Sequence, residues 1–570
     1  MSETKELGYV TNASTSTGIE SILSDYEATE DIATNSIAII EGKKRKYLSI
    51  ISEVFHSAGS ERASNAAKYL SENSEAKNIG DVALKSLSAT KKLSTSMRLI
   101  PLAQTSKYGV EEVDTIPVHA GKVVPPKKED IETFYGNLDE KVNWGIGFSK
   151  HPVKDSELKV MIPINIDLLT RGSFGIFGKS GTGKTHLGNI IASLIIISNK
   201  KNKLDKPIKL LIFDMHSEYG LKVKDQHGND YADGVGLLFK NDFKIYTPDI
   251  LLSKEFRLEE FNIDPRELDV EDLEILKENL DLTQNFLDYL HQYKRMINDV
   301  FERVQQLDDS LKKHAWILYL LGYLDERKDL EKELKIIENR IEEKIKDIGT
   351  GALASFRAGK GKLSSMRRYE FIAIDKKDTI SEIVNELFYG ERSVIISFGR
   401  YGDDPRAYTL IAHLLSKKIW QKAINEIMSN RQLKYKIVIF LEEAHKFLSG
   451  KLYYKTAFGE IARELRKRGI ILCIIDQRPS QISEDVMGML WNSFIFSLTT
   501  EVDIEASTKG LKYSHLFLPV VESLKRREAL VFGEAIKMPA IITIRDYKEF
   551  AKEIEENYIK ALPKMDIPGY

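Results

Sequence analysis

The chain has 570 residues, of which 42% are hydrophobic and 29% charged, and a formal net charge of -2. That is the profile of a globular protein of about three domains, and its neutrality excludes a global pull on nucleic acid, so any polyanion must meet local basic patches. The longest apolar run, 190–197, falls far short of the roughly 20 residues that span a bilayer; together with the acidic start and the lone Cys473, this makes a soluble cytoplasmic chain with no membrane role and no internal disulfide the expectation.

Residues 1–125 read as β-rich, with short apolar runs at 8–10, 36–40 and 47–55, the last two separated at hairpin length by Glu41, Gly42, Lys43 and Lys44. Strand character returns at 98–102 and 115–118, so a small antiparallel β-barrel is expected. The interval 57–97 breaks this pattern. It is rich in Ser, Ala, Lys and Glu, with helical spacing at 63–70, and reads as an insertion. Pro125 and Pro126, followed by Lys127 and Lys128, open a linker over 126–144.

From 145 onward apolar strands alternate with helices, the pattern of an α/β fold whose parallel sheet is covered on both faces. Candidate strands lie at 174–177, 210–213, 394–398, 437–441, 470–475 and 494–498, and a hairpin at 528–544 closes the series. The predicted core therefore occupies 145–250 and 350–545, with a tail at 546–570. Between its halves, 251–349 is a charged helical insertion in which leucines and isoleucines recur at helical spacing over 331–348. A solvated helical hairpin and a partner-docking lobe both fit that composition.

The sharpest motif is Gly178, Lys179, Ser180, Gly181, Thr182, Gly183, Lys184 and Thr185, set between the strand at 174–177 and an apolar helix at 185–197. The context is that of a phosphate-cradling P-loop. The glycines let backbone N–H groups face phosphate oxygens, Lys184 brings charge to the β and γ phosphates, and Thr185 offers a hydroxyl to Mg²⁺. ATP with Mg²⁺ is the expected fuel.

Hydrolysis also needs a metal carboxylate, a base for water and a sensor of the γ-phosphate. The run 437–441 delivers Glu442 and Glu443 at its carboxyl end, where ligands collect in open α/β sheets. Because adjacent strand residues point to opposite sides, Glu442 is the metal candidate and Glu443 the base. The strand at 470–475 ends in Asp476 and Gln477, and the strand at 210–213 in Asp214, Met215, His216, Ser217, Glu218 and Tyr219. Gln477 is a candidate γ-phosphate sensor and Asp214 a candidate nucleotide-site acid; a turn or helix-cap role is the plainer reading of both. For nucleic acid the best local patch is Arg357, Lys360, Lys362, Arg367 and Arg368, interspersed with glycines in an expected loop that could line a pore. An ordinary solvent loop fits equally well.

Gly178 to Thr185, Asp214 to Tyr219, Glu442 to His445, and Ile461 to Gly469 with Arg463 and Arg466 leading to Gln477, Arg478 and Pro479, occur in an order that resembles the HerA group of hexameric ATPases within the wider HerA and FtsK family. The resemblance implies a RecA-like P-loop core behind a HAS-barrel-like amino-terminal domain. It also implies a homohexamer in which Arg463 or Arg466 reaches the neighbouring subunit's nucleotide; a solvated basic helix is the alternative. The implied activity is an ATP-dependent, ring-forming translocase or helicase on double-stranded DNA, working in DNA repair with a NurA-type nuclease or another effector. Ser217 and Leu465 stand where the family often has glycine. A different class of reading is an ATP-dependent hexameric scaffold that regulates an effector, for example in antiviral defence, without translocating. A transporter ATPase fits poorly, because Leu448, Ser449 and Gly450 follow the acidic strand and lack the rest of that signature.

Overall fold

The computed structural model describes residues 6–559 except 57–94, the short segments 25–26, 139–141, 155–159 and 328–330, and residues 202, 226, 306, 326, 350, 375 and 451. They fall into two compact units: the chain up to Asp205 with Ile474–Ile554, and Lys206–Cys473 with the chain from Glu555.

The first unit opens with β1 (Gly8–Ser14), β2 (Gly18–Leu23), β3 (Ser36–Glu41), β4 (Lys46–His56), β5 (Thr95–Ser106), β6 (Gly109–Glu111) and β7 (Lys122–Val124). Their order is β2-β1-β7-β3-β4-β5-β6, and pairing of β2 with β5 closes a six-stranded antiparallel barrel with β6 appended. Alternation along the strands sends Val10, Ile19, Ile40, Ile51, Met97 and Leu99 into one core. The long β4–β5 ladder slips between Leu48 and Ser49 and again between Ile51 and Glu53, irregularities of the kind that bend a sheet into a barrel.

Three expectations are corrected here. Residues 115–118 form no strand: Pro117 has no N–H for a ladder, and Gln104 Oε1 accepts the Thr115 N–H at 3.2 Å and its hydroxyl at 2.8 Å. The linker at 126–144 contains a helix, Lys128–Tyr135, which buries Ile131, Phe134 and Tyr135 at helical spacing. The Tyr135 hydroxyl donates to Pro539 O at 2.9 Å. In the expected tail, Tyr547–Ile554 is a helix that buries Tyr547, Phe550 and Ile554. The insertion expected at 57–97 lies outside the described residues except for 95–97, which begin β5, and the helix expected at 63–70 lies there too.

Downstream strands are β8 (Asn143–Ser149), β9 (Val160–Asn165), β10 (Phe174–Phe177), β11 (Ile208–Asp214), β12 (Lys222–Lys224), β13 (Asp230–Asp233), β14 (Phe243–Thr247), β15 (Glu259–Glu260), β16 (Ser393–Ser397), β17 (Lys436–Glu442), β18 (Ile470–Asp476), β19 (Asn492–Ile495), β20 (Glu528–Gly533) and β21 (Ala540–Ile544). In the first unit β10 pairs parallel with β19, and β20, β21, β8 and β9 follow antiparallel. In the second unit β15, β14, β16, β11 and β17 form a parallel series. β11, β16 and β18 are buried along their whole lengths, as strands covered on both faces must be. The protein is thus an α/β protein with a P-loop sheet core, an amino-terminal barrel and a helical insertion.

That insertion is a packed lobe with an aromatic core: the rings of Tyr293 and Phe356 lie 5.0 Å apart and those of Phe301 and Tyr319 5.7 Å. It runs past the expected end at 349, through the helix Ala352–Ser364 and a 3-10 turn, Ser365–Arg368. No helix among the described residues is long and apolar enough to cross a membrane.

Candidate nucleotide site

In the first unit the wholly buried β10 leads into the glycine-rich loop, and the loop into the helix Lys184–Lys200. Gly178, Gly181 and Gly183 have φ of 155°, 75° and 117°, a region that side chains with a Cβ rarely enter. At Gly178 space is also decisive, since a Cβ would stand 2.6 Å from Phe496 Cβ. The loop is pinned from outside: Gly178 N–H donates to Asp476 O at 3.2 Å and Lys179 N–H to Ser497 O at 3.0 Å. From within, Thr182 Oγ1 donates to Lys179 O at 2.8 Å. Lys184 Nζ donates to Gly178 O at 2.6 Å and Lys179 O at 3.0 Å, so the ammonium sits inside the curl of the loop. Ser180 and Gly181 are exposed at the tip, and Thr185 is half-buried in the first turn of the helix. Gln477 is exposed just beyond β18, whose last residue, Asp476, is buried and accepts the Arg478 N–H at 2.8 Å.

In the second unit the pairing of Phe213 with Leu441 brings Asp214 and Glu442 to the carboxyl ends of neighbouring strands. Glu442 Oε2 accepts the Met215 N–H at 3.2 Å, and its carbonyl accepts the Tyr408 hydroxyl at 2.6 Å. Asp214 is 1% exposed, and burial pushes its carboxyl up to about 6. Its oxygens accept N–H groups of Glu218 at 2.9 Å and Gly220 at 2.7 Å and the Ser397 hydroxyl at 3.1 Å. Asp214 therefore orders the 215–220 loop beside Glu442. In that loop Ser217 has φ 59°, the left-handed conformation that glycine adopts freely, and its Oγ accepts the Gly399 N–H at 3.3 Å.

The strand-alternation argument for Glu443 does not hold. β17 ends at Glu442, and Glu443 turns away with φ 48°, a strained conformation for a residue with a Cβ, before the short helix His445–Leu448. His445 Nδ1 lies 3.6 Å from Glu443 Oε2.

Arg463 and Arg466 do not share a regular helix face. A π-helical turn, Ile461–Leu465, gives way to a 3-10 turn, Arg466–Arg468, which left-handed Gly469 ends. Such π turns concentrate at functional sites. Arg463 pairs with Glu460, and its guanidinium lies 5.3 and 5.1 Å from the ring centroids of Tyr453 and Tyr454.

The expected cationic loop is a helix with its charges engaged. Arg357 makes a two-point pair with Glu342 at 2.7 and 2.6 Å. Lys360 lies 3.6 Å from the centroid of Tyr319 and pairs with Asp325 and Glu338. Lys362 pairs with Asp281 at 2.7 Å, Arg367 lies over Tyr323 at 3.8 Å, and Arg368 reaches Asp404 at 3.3 Å. The helix forms because Ala352, Phe356, Gly359 and Leu363 bury one face.

A contact that no motif signals meets the loop from the far end of the chain: Arg527 N–H donates to Thr182 O at 2.9 Å. Its only sequence trace is a basic triplet, Lys525 to Arg527, before the closing hairpin.

Fold and loop together define a P-loop ATPase. Residues 150–419 match the family model described as "Helicase HerA, central domain". The chain is 23% identical over 465 residues to the DNA double-strand break repair helicase HerA of Sulfurisphaera tokodaii, covering 80% of this chain and 79% of that protein. It is 29% identical over 177 residues to the protein of that name in Sulfolobus acidocaldarius, covering 30% of this chain and 34% of that one. Among solved structures, the conjugative coupling protein TrwB aligns with a TM-score of 0.43 at 12% identity, over 67% of this chain and 87% of that one. Residues 150–419 thus carry the central domain of a HerA-type ATPase.

Proposed function

We propose that the chain is an ATP-driven, ring-forming DNA translocase or helicase, a homohexamer that works with a nuclease partner of the NurA type or another effector. The observation that carries this reading is the glycine-rich loop with left-handed Gly178, Gly181 and Gly183 and Lys184 curled into it, in a chain whose central domain is of the HerA family. The relatives named as DNA repair helicases support the choice of DNA as substrate.

The residues fit a magnesium nucleotide. A Cβ at Gly178 would crowd the cradle, and the Thr185 hydroxyl and Glu442 carboxylate are the hard oxygen donors that Mg²⁺ prefers. When bound, Mg²⁺ would neutralise phosphate charge. Lys184 exchanges its two carbonyl partners for phosphate oxygens, and loop N–H groups orient the phosphates. Asp214 keeps the 215–220 loop, and with it the Met215 N–H, against Glu442. Glu443 takes the proton of the attacking water, Gln477 reads the γ-phosphate, and Arg463 or Arg466 serves the neighbouring subunit's nucleotide. For Arg463 that role requires release from Glu460.

The test is ATP turnover with and without duplex DNA, alongside Glu443→Gln. The variant is expected to bind ATP while turnover falls about 10²–10⁴-fold, the range for loss of a general base. Equal turnover in the two chains would refute the base assignment. A second reading, an ATP-dependent scaffold that does not translocate, draws on the internal pairing of Lys360, Lys362 and Arg368. Turnover and assembly that ignore DNA would favour it.

A further inference from the structure

Arg527 stands at the turn into β20 with φ 64°, a left-handed conformation that a residue with a Cβ adopts only when its surroundings demand it. Two backbone bonds make that demand: its N–H donates to Thr182 O at 2.9 Å, and its carbonyl accepts the Ile544 N–H at 2.7 Å. A trans peptide holds its C=O and N–H on opposite sides. With the Thr182 carbonyl tied to Arg527, the N–H of Gly183 must point the other way. The side chain lies behind the same peptide: a Cβ built at Gly183 would stand 3.5 Å from Phe496 Cε1, 3.6 Å from Arg527 Cγ and 3.7 Å from Arg527 Cα.

The guanidinium then leaves the loop. Arg527 Nη1 meets Asp546 Oδ2 at 2.7 Å. Asp546 also caps the helix Tyr547–Ile554, its Oδ1 accepting the N–H groups of Lys548 at 3.0 Å and Glu549 at 3.3 Å. That helix returns to the site, with the Tyr547 ring 6.0 Å from that of His186, the residue after Thr185.

We infer that Arg527 is a positioning residue for the nucleotide, bracing the Thr182–Gly183 peptide from behind and, through Asp546, making the loop's geometry depend on the Tyr547–Ile554 helix. This rests on the nucleotide reading of the loop. Arg527→Ala keeps both backbone bonds but loses the guanidinium's tie to Asp546, leaving a residue with a Cβ at φ 64° without that side-chain anchor.

The experiment measures binding of a fluorescent non-hydrolysable ATP analogue, with KM and kcat for ATP and thermal melting of each variant. Arg527→Ala is expected to weaken analogue binding and raise KM about tenfold, with kcat within about twofold. Asp546→Asn moves both in the same direction, and the double variant is no worse than Arg527→Ala alone. Arg527→Gly, which adopts φ 64° freely, recovers part of the loss. Wild-type analogue affinity in Arg527→Ala, or a fall in kcat at unchanged KM, overturns the inference. If Lys184→Ala abolishes analogue binding while Arg527→Ala leaves it intact, only this inference fails; a wild-type chain that binds no analogue overturns the nucleotide reading as well.

Discussion

Two stretches of this chain set lysines directly after glycines and have opposite fates. Gly178 to Thr185 and Gly359 to Lys362 each contain two Gly-Lys pairs. In the first, glycines at positive φ bend the backbone into a cradle and Lys184 lies inside it. In the second, Gly359 and Gly361 lie in a helix, and Lys360 and Lys362 reach sideways to carboxylates. The difference comes from what flanks them. A buried strand ends abruptly before the first stretch, whereas Phe356 and Leu363 hold the second in helical register. Gly359 has a steric reason to be glycine, since a Cβ there would stand 2.3 Å from Phe286 Cδ2.

The contrast is tested most strongly through its lysines. Lys184→Ala should lower ATP turnover by about 10²–10³-fold, the loss typical of one preorganised charge-stabilising donor, while Lys360→Ala should leave turnover and its stimulation by duplex DNA within about twofold. A steady-state ATPase assay reads both, and a collapse of DNA stimulation in Lys360→Ala would return that helix to the DNA-binding surface.

Next in size is the acid counterpart, Asp214, whose setting rather than its type determines its behaviour. Its folded-state pKa of about 6 lies above the ordinary 3.8, so between those values the folded chain holds more proton than the unfolded one. The stability this group contributes is complete below about pH 4 and is lost as pH rises through about 6, a swing of about 3 kcal/mol. Denaturant unfolding across that range should show Asp214→Asn gaining on the wild type as pH rises. A parallel pair of curves would contradict the assignment.

Smallest are the glycines themselves, and here the two stretches should differ in sign. No atom crowds a Cβ at Gly181 or Gly361. Gly181→Ala should destabilise by about 1–2 kcal/mol, because φ is 75°, while Gly361→Ala should stabilise by about 0.5–1 kcal/mol by restricting the unfolded chain within a helix. Melting temperatures of the two variants, taken together, decide it.

Continuous apolar runs made the core strands legible in the sequence, because strands buried on both faces can be built from little else. The glycine loop was legible because its residues act locally, through their own φ angles. Where partners are distant, sequence reading failed. Nothing within 357–368 announces that Glu342, Asp325 and Asp281 will take its charges. Nothing near Lys525 announces that Arg527 will hold Thr182. Glu443 stands out in the sequence by its place after an apolar run, yet its left-handed turn depends on tertiary context and carries no sequence mark. The strand expected at 115–118 fails for a local reason, since Pro117 has no N–H to give a ladder.

Cys473 lies in β18 three residues before Asp476, is fully buried, and is the sole cysteine of the chain; burial pushes its thiol well above the usual range. A thiol so placed stays silent toward alkylating and disulfide reagents until the strand parts from its neighbours. The wild-type chain therefore carries a built-in timer for opening of this strand, readable as a labelling rate, and nucleotides that tighten the site should slow it.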